Sequence, residues 1–377
     1  MARVRTKEMN TPDELPPPPT RLDGIIGHAR ALETIASAVA SERVHHAWIF
    51  AGPKGVGKYT TAVAFAAMLL DETAAPDLAG NLAPDPESAA QKLIDHHAHP
   101  DLHIINKELA AHSHDSAVRK SKQITIPKKV VDEFLLGPIS LASTRTTHGR
   151  VSKVFIVDEA ELMDRSATNA PVQNSILKTL EEPPPGSLIV LVTSSEDRLL
   201  PTIRSRCQRV AFTTLSDAEM DAWFARRGCD ADAREIEWVK HFADGSPGRA
   251  ELALSTGLYS WARELEPLLD DLDSGRFDPK LPGVMTALVS GWAEAWVKAH
   301  PGASKEAANH AGAAHLFTIL SQRARRSLRG RAGDGDQDPD RFERELASIE
   351  TIRAAEGQVR ANVNMQIVME NLAAQLA

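Results

Sequence analysis

Cysteine is nearly absent from this 377-residue sequence, which contains only two, Cys207 and Cys229. Two cysteines cannot build a disulfide framework or a cysteine-rich zinc module, and so low a content suits a reducing cytoplasm. No run of about 18 apolar residues occurs, so we expect no membrane-spanning segment. The polar, proline-rich stretch 1–20 lacks the apolar core of a signal peptide, and we expect it to be a disordered lead.

An excess of basic residues is also missing. Lysine and arginine number 43 and aspartate and glutamate 51, which gives a net charge of −8. A protein that binds nucleic acid on its own usually has a basic surface, so any contact with DNA would need a local patch or a partner. The length predicts two or three domains.

Short apolar runs alternate with longer helical patterns between residues 22 and 213. This alternation predicts a parallel β-sheet whose strands are joined by crossover helices on both faces. We predict strands at Ala47–Ala51, Leu102–Ile105, Val154–Val157, Leu188–Val192 and Val210–Phe212. The stretches 71–88 and 106–122 are polar or rich in proline and are predicted to be loops, whose role the sequence does not give.

The strand pattern stops after Thr214, and the rest of the sequence is helical. Ser216 and Glu219 have the spacing of a capping box at the start of a helix. We predict an α/β nucleotide-binding core at 21–213, a small helical lid at 214–258 and an all-α domain at 259–377. Predicted helices of that last domain are Trp261–Leu272, Val284–His300, Lys305–Leu328 and Phe342–Leu376, with a break at Gly330–Asp340.

A phosphate-binding loop follows the first predicted strand. The segment Gly52-Pro-Lys-Gly55-Val-Gly57-Lys58 stands between a strand and a helix, which is the context that this motif requires. Its glycines let backbone N–H groups turn towards phosphate oxygens, and Lys58 supplies positive charge to the outer phosphates. A plain glycine-rich turn is the alternative, and both flanks argue against it.

The residue after that lysine departs from the motif. A serine or threonine hydroxyl normally binds Mg²⁺ there, but the sequence has Tyr59. A phenol hydroxyl is too far from the backbone to take that place, and Thr60 is rotated by about 100° around the helix. The motif therefore predicts the loop structure, whereas Tyr59 argues against Mg²⁺-dependent ATP binding and hydrolysis.

Two further positions fit the chemistry of a nucleotide site. Asp158 and Glu159 follow the buried strand Val154–Val157, where an aspartate holds Mg²⁺ and a glutamate polarises water in phosphate-loop ATPases. Thr193 ends the next strand, where a hydroxyl can contact the outer phosphate or the water. The alternatives are an ordinary helix start for the acidic pair and a satisfied strand-end threonine for Thr193.

An arginine-containing segment comes last. Leu199–Gln208 includes Arg204-Ser-Arg206-Cys207, and a guanidinium can stabilise a transferring phosphoryl group from a neighbouring subunit. We interpret Arg206 as such a finger acting in trans. A purely structural salt bridge is the alternative for this residue.

These motifs together resemble one protein family. The segments IIGH (25–28), GPKGVGK (52–58), HPDL (99–102), VFIVDEAELM (154–163), ILKTLEEPP (176–184) and LLPTIRSRCQ (199–208) look like the AAA+ clamp-loader subunits of bacterial DNA polymerase III. The specific motifs, with GSPGRAELAL (245–254), cover about 22–258. Beyond that, the resemblance rests on helical character alone.

Two kinds of subunit in that family are similar here, the ATP-hydrolysing gamma/tau motor and the delta-prime subunit. Tyr59 favours delta-prime. So does Gly248, since it stands where the motor has its sensor arginine, and Arg249 comes one residue late. The family's four-cysteine zinc module is absent between residues 71 and 100, so we predict no zinc and no other metal site. ATP is the one cofactor that the loop would take.

The resemblance implies a role and partners. It implies that this chain joins gamma/tau and delta subunits through its C-terminal helices, with Arg206 completing a neighbour's ATP site. The assembly would place a sliding clamp on primed DNA, with no membrane involved. Two alternatives stay open: an ATP-hydrolysing motor subunit, and a AAA+ scaffold that acts outside replication. Whether the chain itself is an enzyme also stays open.

Overall fold

The computed structural model describes residues 22–40, 44–76, 82–85, 87–120, 124–141, 143, 151–164, 170–228, 231–299, 304–334 and 339–377. The chain divides into two compact units. One contains the described residues of 11–230 together with Asp244–Gly248, and the other contains Ala231–Ala243 and Arg249–Ala377. None of the helices in the described ranges combines the length and apolar character needed to cross a membrane. The disordered lead predicted for 1–20 and Cys229 fall outside the described residues.

The first unit is built on a parallel sheet of five strands. All five predicted strands are present, and their ends differ from the prediction by at most two residues. The strands are β1 (Ala47–Ala51), β4 (Leu102–Ile105), β5 (Lys153–Val157), β6 (Ser187–Thr193) and β7 (Gln208–Ala211), with a separate short pair, β2 (Ala75–Pro76) and β3 (Leu82–Ala83). Across the five-stranded sheet their order is β4-β5-β6-β1-β7.

Helices cover both faces of this sheet, as the alternating pattern predicts. Trp48 and Phe50 belong to an apolar cluster on one face, and Ile49 belongs to a second cluster on the other. Successive side chains of a strand point to opposite faces, so β1 joins both clusters. The helices are α1 (Ala29–Ala40), α2 (Lys58–Leu70), α3 (Ala89–Asp95), α4 (Ser116–Arg119), α5 (Lys128–Val131), α6 (Gly137–Ile139), α7 (Pro171–Glu181), α8 (Pro201–Arg204) and α9 (Asp217–Arg227).

The two predicted loops contain short structured pieces. The β2–β3 pair lies between α2 and α3, so part of the stretch 71–88 is a small antiparallel pair and not a loop. The stretch 106–122 contains a 3₁₀ turn at Lys107–His112 and α4. Both pieces are too short for an apolar run or a helical period to announce them.

The second unit is helical, as predicted. Its helices are α10 (Ala233–Ala243), α11 (Pro247–Thr256), α12 (Leu258–Asp273), α13 (Leu281–Ala299), α14 (Lys305–Asp334), α15 (Pro339–Arg360) and α16 (Met365–Leu376). The first residues of α11, up to Gly248, are counted with the sheet unit. The capping box predicted at α9 is present, with Ser216 and Glu219 bonded reciprocally. The boundaries 214–258 for a lid and 259–377 for an oligomerisation domain stay predictions.

Two details of the helical prediction are wrong. A single helix was expected over Phe342–Leu376, but α15 ends at Arg360 and α16 begins at Met365. Asn362 has a left-handed φ of 61°, and the side chain of Asn364 accepts hydrogen bonds from the first turn of α16. Asparagine adopts the left-handed conformation more readily than most residues, and it is also a good N-cap. Asn362 therefore ends α15, and Asn364 starts α16. In the other detail, the predicted break at Gly330–Asp340 is shorter, since α14 runs to Asp334.

Candidate functional site

The phosphate loop joins the end of β1 to the start of α2, as the sequence predicts. Gly52 has a φ of 155°, and a Cβ atom at this position would lie 2.3 Å from the carbonyl oxygen of Phe212. No other residue can occupy that position without moving the backbone of Phe212, which follows β7. Gly55 and Gly57 also have positive φ, and Gly57 is the N-cap of α2. The loop therefore has the glycine-dependent backbone of a phosphate cradle.

Lys58 is turned back onto this loop. Its Nζ donates hydrogen bonds to the carbonyl oxygens of Gly52, at 2.7 Å, and Pro53, at 2.6 Å. Burial lowers the pKa of Lys58 to about 8, helped by the positive charge of Lys54, while nearby carboxylates offset part of the effect. A phosphate bound in the loop would need the charged form of Lys58, so we expect phosphate affinity to fall above about pH 8.

Tyr59 is half-buried at the border of the protein core. Its ring packs against the apolar cluster on the α2 face of the sheet. Burial raises the pKa of its hydroxyl to about 12, with a contribution from the negative charge of Asp158. Thr60 is half-buried on α2, and the hydroxyl of Thr61 donates to Gly57 O at 2.9 Å. The Mg²⁺ position of the motif therefore has no short hydroxyl.

The acidic pair lies at the end of β5, on the same edge of the sheet. Burial raises the pKa of Asp158, which receives a hydrogen bond from the backbone N–H of Glu159. Glu159 bonds to two lysines, Lys54 at 2.7 Å and Lys107 at 2.6 Å. Burial alone would raise its pKa, but these two lysines outweigh burial and lower it. In this structure both carboxylate oxygens of Glu159 pair with lysines, so neither is placed to act as a general base.

Thr193 ends β6 directly beside the phosphate loop. Its carbonyl oxygen accepts a hydrogen bond from Gly52 N at 3.3 Å, and its hydroxyl accepts one from Ser195 N at 3.1 Å. The side chain is buried. The structure therefore brings Lys58, Asp158 and Thr193 to one edge of the sheet, where the strands end, which we call the carboxyl edge.

Three residues of this edge were not predicted from the sequence. Lys54 and Lys107 hold Glu159, and the buried Glu161 accepts hydrogen bonds from Ser194 Oγ, at 2.5 Å, and Ser194 N, at 3.1 Å. Glu161 could have been singled out as the third carboxylate of VDEAE. No local pattern marks Lys107, because its partner is 52 residues away in the sequence.

A strap at Asp244–Gly248 covers the outer side of the loop. Ser246 Oγ donates to Lys54 O at 3.1 Å, and Gly248 N donates to Gly55 O at 2.8 Å. A Cβ atom at Gly248 would lie 2.8 Å from the Cα of Gly55. The backbone contact therefore requires a glycine at position 248. Arg249 is the next residue of α11 and is counted with the second unit.

Arg206 lies at the opposite edge of the sheet. It precedes β7, which runs parallel to β1 with Gln208 beside Trp48, so it stands where the strands begin. The phosphate loop stands where β1 ends, and the five residues of β1 separate the two edges by roughly 15 Å. Arg206 therefore cannot reach a phosphate bound in the loop of its own chain. If it contacts the phosphate of a nucleotide in such a loop, that loop belongs to another protein chain.

An open groove surrounds this arginine. The Arg206 guanidinium is 2.5 Å from Glu181 Oε1 and donates to Thr202 O at 2.8 Å. We call this groove the amino-edge groove. It is lined by His45, His46, Leu180, Glu181, Ser205, Arg206, Cys207 and Gln208. The salt bridge that the sequence left as an alternative role for Arg206 exists, and it leaves the side chain 34% exposed.

The chemistry of the two edges differs. At the carboxyl edge, the glycine backbone and Lys58 fit a phosphate group, whereas the half-buried Tyr59 cannot replace the short hydroxyl that usually binds Mg²⁺. No cluster of three or more potential metal-ligating side chains occurs among the described residues. At the amino edge, an accessible guanidinium is held beside a groove. The sheet order together with the phosphate loop defines the fold as that of a AAA+ phosphate-loop protein.

Comparison with known proteins narrows this class. The family model described as "DNA polymerase III, delta subunit" matches residues 27–216. The chain belongs to that family. DNA polymerase III subunit delta' of Pseudomonas aeruginosa is 32% identical over 206 residues, which are 55% of this chain and 55% of that protein. DNA polymerase III subunit tau of Bacillus subtilis is 29% identical over 219 residues, which are 58% of this chain and 33% of that protein.

The match thus spans about half the length of the delta' relative and a third of the tau relative. Among solved structures, a DNA polymerase III gamma subunit-related protein from Thermotoga maritima is 16% identical. That alignment covers 90% of this chain and 97% of that chain, with a TM-score of 0.38.

Proposed function

We propose that this chain is a delta-prime-type subunit of a bacterial DNA polymerase III clamp loader. It acts in the cytoplasm beside gamma/tau and delta subunits in an assembly that places a sliding clamp on primed DNA. Its contribution is Arg206, which enters the ATP site of a neighbouring subunit and stabilises the charge of the transferring phosphoryl group. Its own phosphate loop is a structural element that hydrolyses little or no ATP.

One observation supports this proposal above all. Arg206 is partly exposed at the amino edge of the sheet, whereas the phosphate loop of the same chain lies at the carboxyl edge. An arginine so placed can complete only a site that another subunit supplies. The surroundings of the phosphate loop support the same proposal, because the half-buried Tyr59 packs against the core and Glu159 is held by two lysines.

The test measures ATP turnover by the reconstituted assembly of this chain with gamma/tau, delta, sliding clamp and primed DNA. We expect Arg206→Ala to lower turnover by a factor of about 10 or more, since removing an arginine finger costs up to several powers of ten. Arg204→Ala is the matched control, because Arg204 is exposed and two residues away. Equal turnover with Arg206→Ala and with the wild type would contradict the proposal.

The motor function is the second candidate. Lys58, Asp158 and Thr193 do meet at one edge, as a working ATP site requires. This candidate expects the isolated chain to hydrolyse ATP, and expects Lys58→Ala to abolish the activity while Lys298→Ala, which changes an exposed lysine of α13, preserves it. We expect no such activity above background. A scaffold outside replication is a further outcome of the reconstitution, and it would show as failure to assemble with gamma/tau and delta.

A further inference from the structure

Arg206 is held by two contacts that leave part of its guanidinium available. One amino group donates to the carbonyl oxygen of Thr202, in α8, at 2.8 Å, and the other is 2.5 Å from Glu181 Oε1. A guanidinium has five N–H donors, so donors remain for a phosphate. The backbone contact alone would not fix the plane of the group, because a single bond leaves rotation about its axis. The second contact, to Glu181, removes that freedom.

Glu181 is itself placed by a defined helix end. It is the last residue of α7, where backbone carbonyl groups lack partners within the helix. His46, just before β1, bonds through Nε2 to the carbonyl oxygen of Leu180 at 2.9 Å. This bond satisfies one of those carbonyls and ties the helix end to the amino edge of the sheet. The carboxylate of Glu181 consequently lies next to Arg206 across the amino-edge groove.

We propose that Glu181 is the positioning residue for Arg206. Glu181 and the Thr202 carbonyl hold the guanidinium in one orientation at the mouth of the groove, with its remaining donors directed to a partner's phosphate. This inference rests on the proposed function. It extends that function by a residue that neither binds the nucleotide nor contacts the reacting atoms.

The expected effect follows from what Glu181 provides. A long arginine side chain loses rotamer freedom when it is fixed, and prior fixing by Glu181 means that less freedom is lost in the transition state. The pair is partly exposed, so its contribution is that of a surface ion pair. We therefore expect Glu181→Ala to lower the kcat of the assembly about fivefold, with little change in the KM for ATP.

The experiment uses the reconstituted assembly with the full-length chain. Turnover is measured at varied ATP for the wild type, Glu181→Ala, Glu181→Gln, Arg206→Ala and the double variant Glu181→Ala/Arg206→Ala. Glu182→Ala is the matched control, because the neighbouring Glu182 is exposed and lies outside the groove lining. Glu181→Gln keeps an acceptor oxygen without the charge, and we expect its kcat to lie between those of the wild type and Glu181→Ala.

The double variant separates positioning from a structural effect. If Glu181 acts through Arg206, the double variant has the same turnover as Arg206→Ala alone. An additive loss, or a Glu181→Ala kcat equal to or above that of the wild type while Arg206→Ala is impaired, overturns this inference and leaves the proposed function intact. If Arg206→Ala is fully active, the proposed function itself fails, and the role of Glu181 fails with it.

Discussion

Gly248 shows at the residue scale how little space remains around the phosphate loop. Its N–H donates to Gly55 O at 2.8 Å, and its missing side chain lets the two backbones touch. The sequence identified this position as one where the motor arginine is missing. The structure adds a physical reason for a glycine here, namely contact between backbones.

The first prediction concerns this contact. Gly248→Ala would place a Cβ atom 2.8 Å from the Cα of Gly55, and backbone cannot move aside as a flexible side chain can. We expect a loss of about 1–3 kcal/mol in the free energy of unfolding, which exceeds the gain that alanine usually brings within a helix. In thermal unfolding, this corresponds to a Tm lower by several degrees.

Gly283→Ala is the matched control for this substitution. Gly283 lies in α13, and a Cβ atom there would meet no atom within 4 Å. Alanine at this position should leave the Tm unchanged or raise it slightly, because alanine favours the helix. A Gly248→Ala variant as stable as the Gly283→Ala variant would show that the strap can move to make room for a Cβ atom, which would contradict the prediction.

The candidate site could be predicted from sequence only where its residues lie in continuous motifs. Lys58 and Asp158 come after buried strands and Thr193 is the last residue of one, and the carboxyl ends of parallel strands meet at one edge. The partners of Glu159 could not be predicted, because pairing with Lys107 depends on how two loops approach in three dimensions. The contact of Arg206 with Thr202 O lies within its own motif, but its ion pair with Glu181 joins two separate motifs and could not be predicted.

Helices and strands were predictable where their apolar residues formed a continuous run or a long periodic pattern. The strands β1, β5 and β6 are continuous apolar runs buried on both faces, and their positions followed directly from the sequence. The turn between α15 and α16 was missed because asparagine inside a helical pattern is only a weak signal. The β2–β3 pair was missed because two residues per strand carry no period.

A buried polar network joins the end of α2 to the start of α3 across this short pair. Asp71 Oδ1 accepts from Thr73 N, at 2.9 Å, and from Thr73 Oγ1, at 2.7 Å. Asp71 Oδ2 accepts from Ser88 Oγ, at 2.9 Å, and from Gln91 Nε2, at 3.1 Å. Each carboxylate oxygen thus accepts from two donors, and Ser88 also caps α3. The network therefore connects the C-terminal end of α2 to the N-terminal end of α3.

Replacing Asp71 with asparagine should weaken this network. An asparagine has one acceptor oxygen, so in either orientation its NH₂ group faces one N–H donor, Thr73 N or Gln91 Nε2, and a hydroxyl that must turn to accept. We expect a loss of about 1–3 kcal/mol in the free energy of unfolding. Glu72→Gln is the control, because Glu72 is the exposed neighbour. Chemical denaturation at neutral pH compares the three proteins. Equal stability of Asp71→Asn and Glu72→Gln would contradict the role given to the network.

The network also predicts a dependence on pH. Burial alone would raise the pKa of Asp71, but the hydrogen bonds from Thr73, Ser88 and Gln91 outweigh burial and lower it below the ordinary 3.8. A carboxylate with a lowered folded pKa contributes stability above its ordinary pKa, and loses that contribution as the pH falls through the folded value. The stability difference between wild type and Asp71→Asn should therefore be constant above about pH 5 and shrink below about pH 4.

At the scale of the whole molecule, the chain has two compact units, each with its own core. In the sheet unit, Phe65 of α2 is fully buried, with its ring centroid 5.3 Å from that of Trp48. In the helical unit, Leu316 of α14 is fully buried. Units with separate cores usually unfold as separate cooperative transitions.

Calorimetry of the full-length chain should therefore show two transitions, and one substitution in each core assigns them. Truncating a buried side chain costs about 2–5 kcal/mol, which corresponds to roughly 6 °C or more for a unit of this size. Phe65→Ala should lower one transition and leave the other in place, and Leu316→Ala should do the reverse. A single transition that both variants shift equally would show that the two cores unfold together. In that case the stability of the sheet, and with it the geometry of Arg206, would depend on the helical unit.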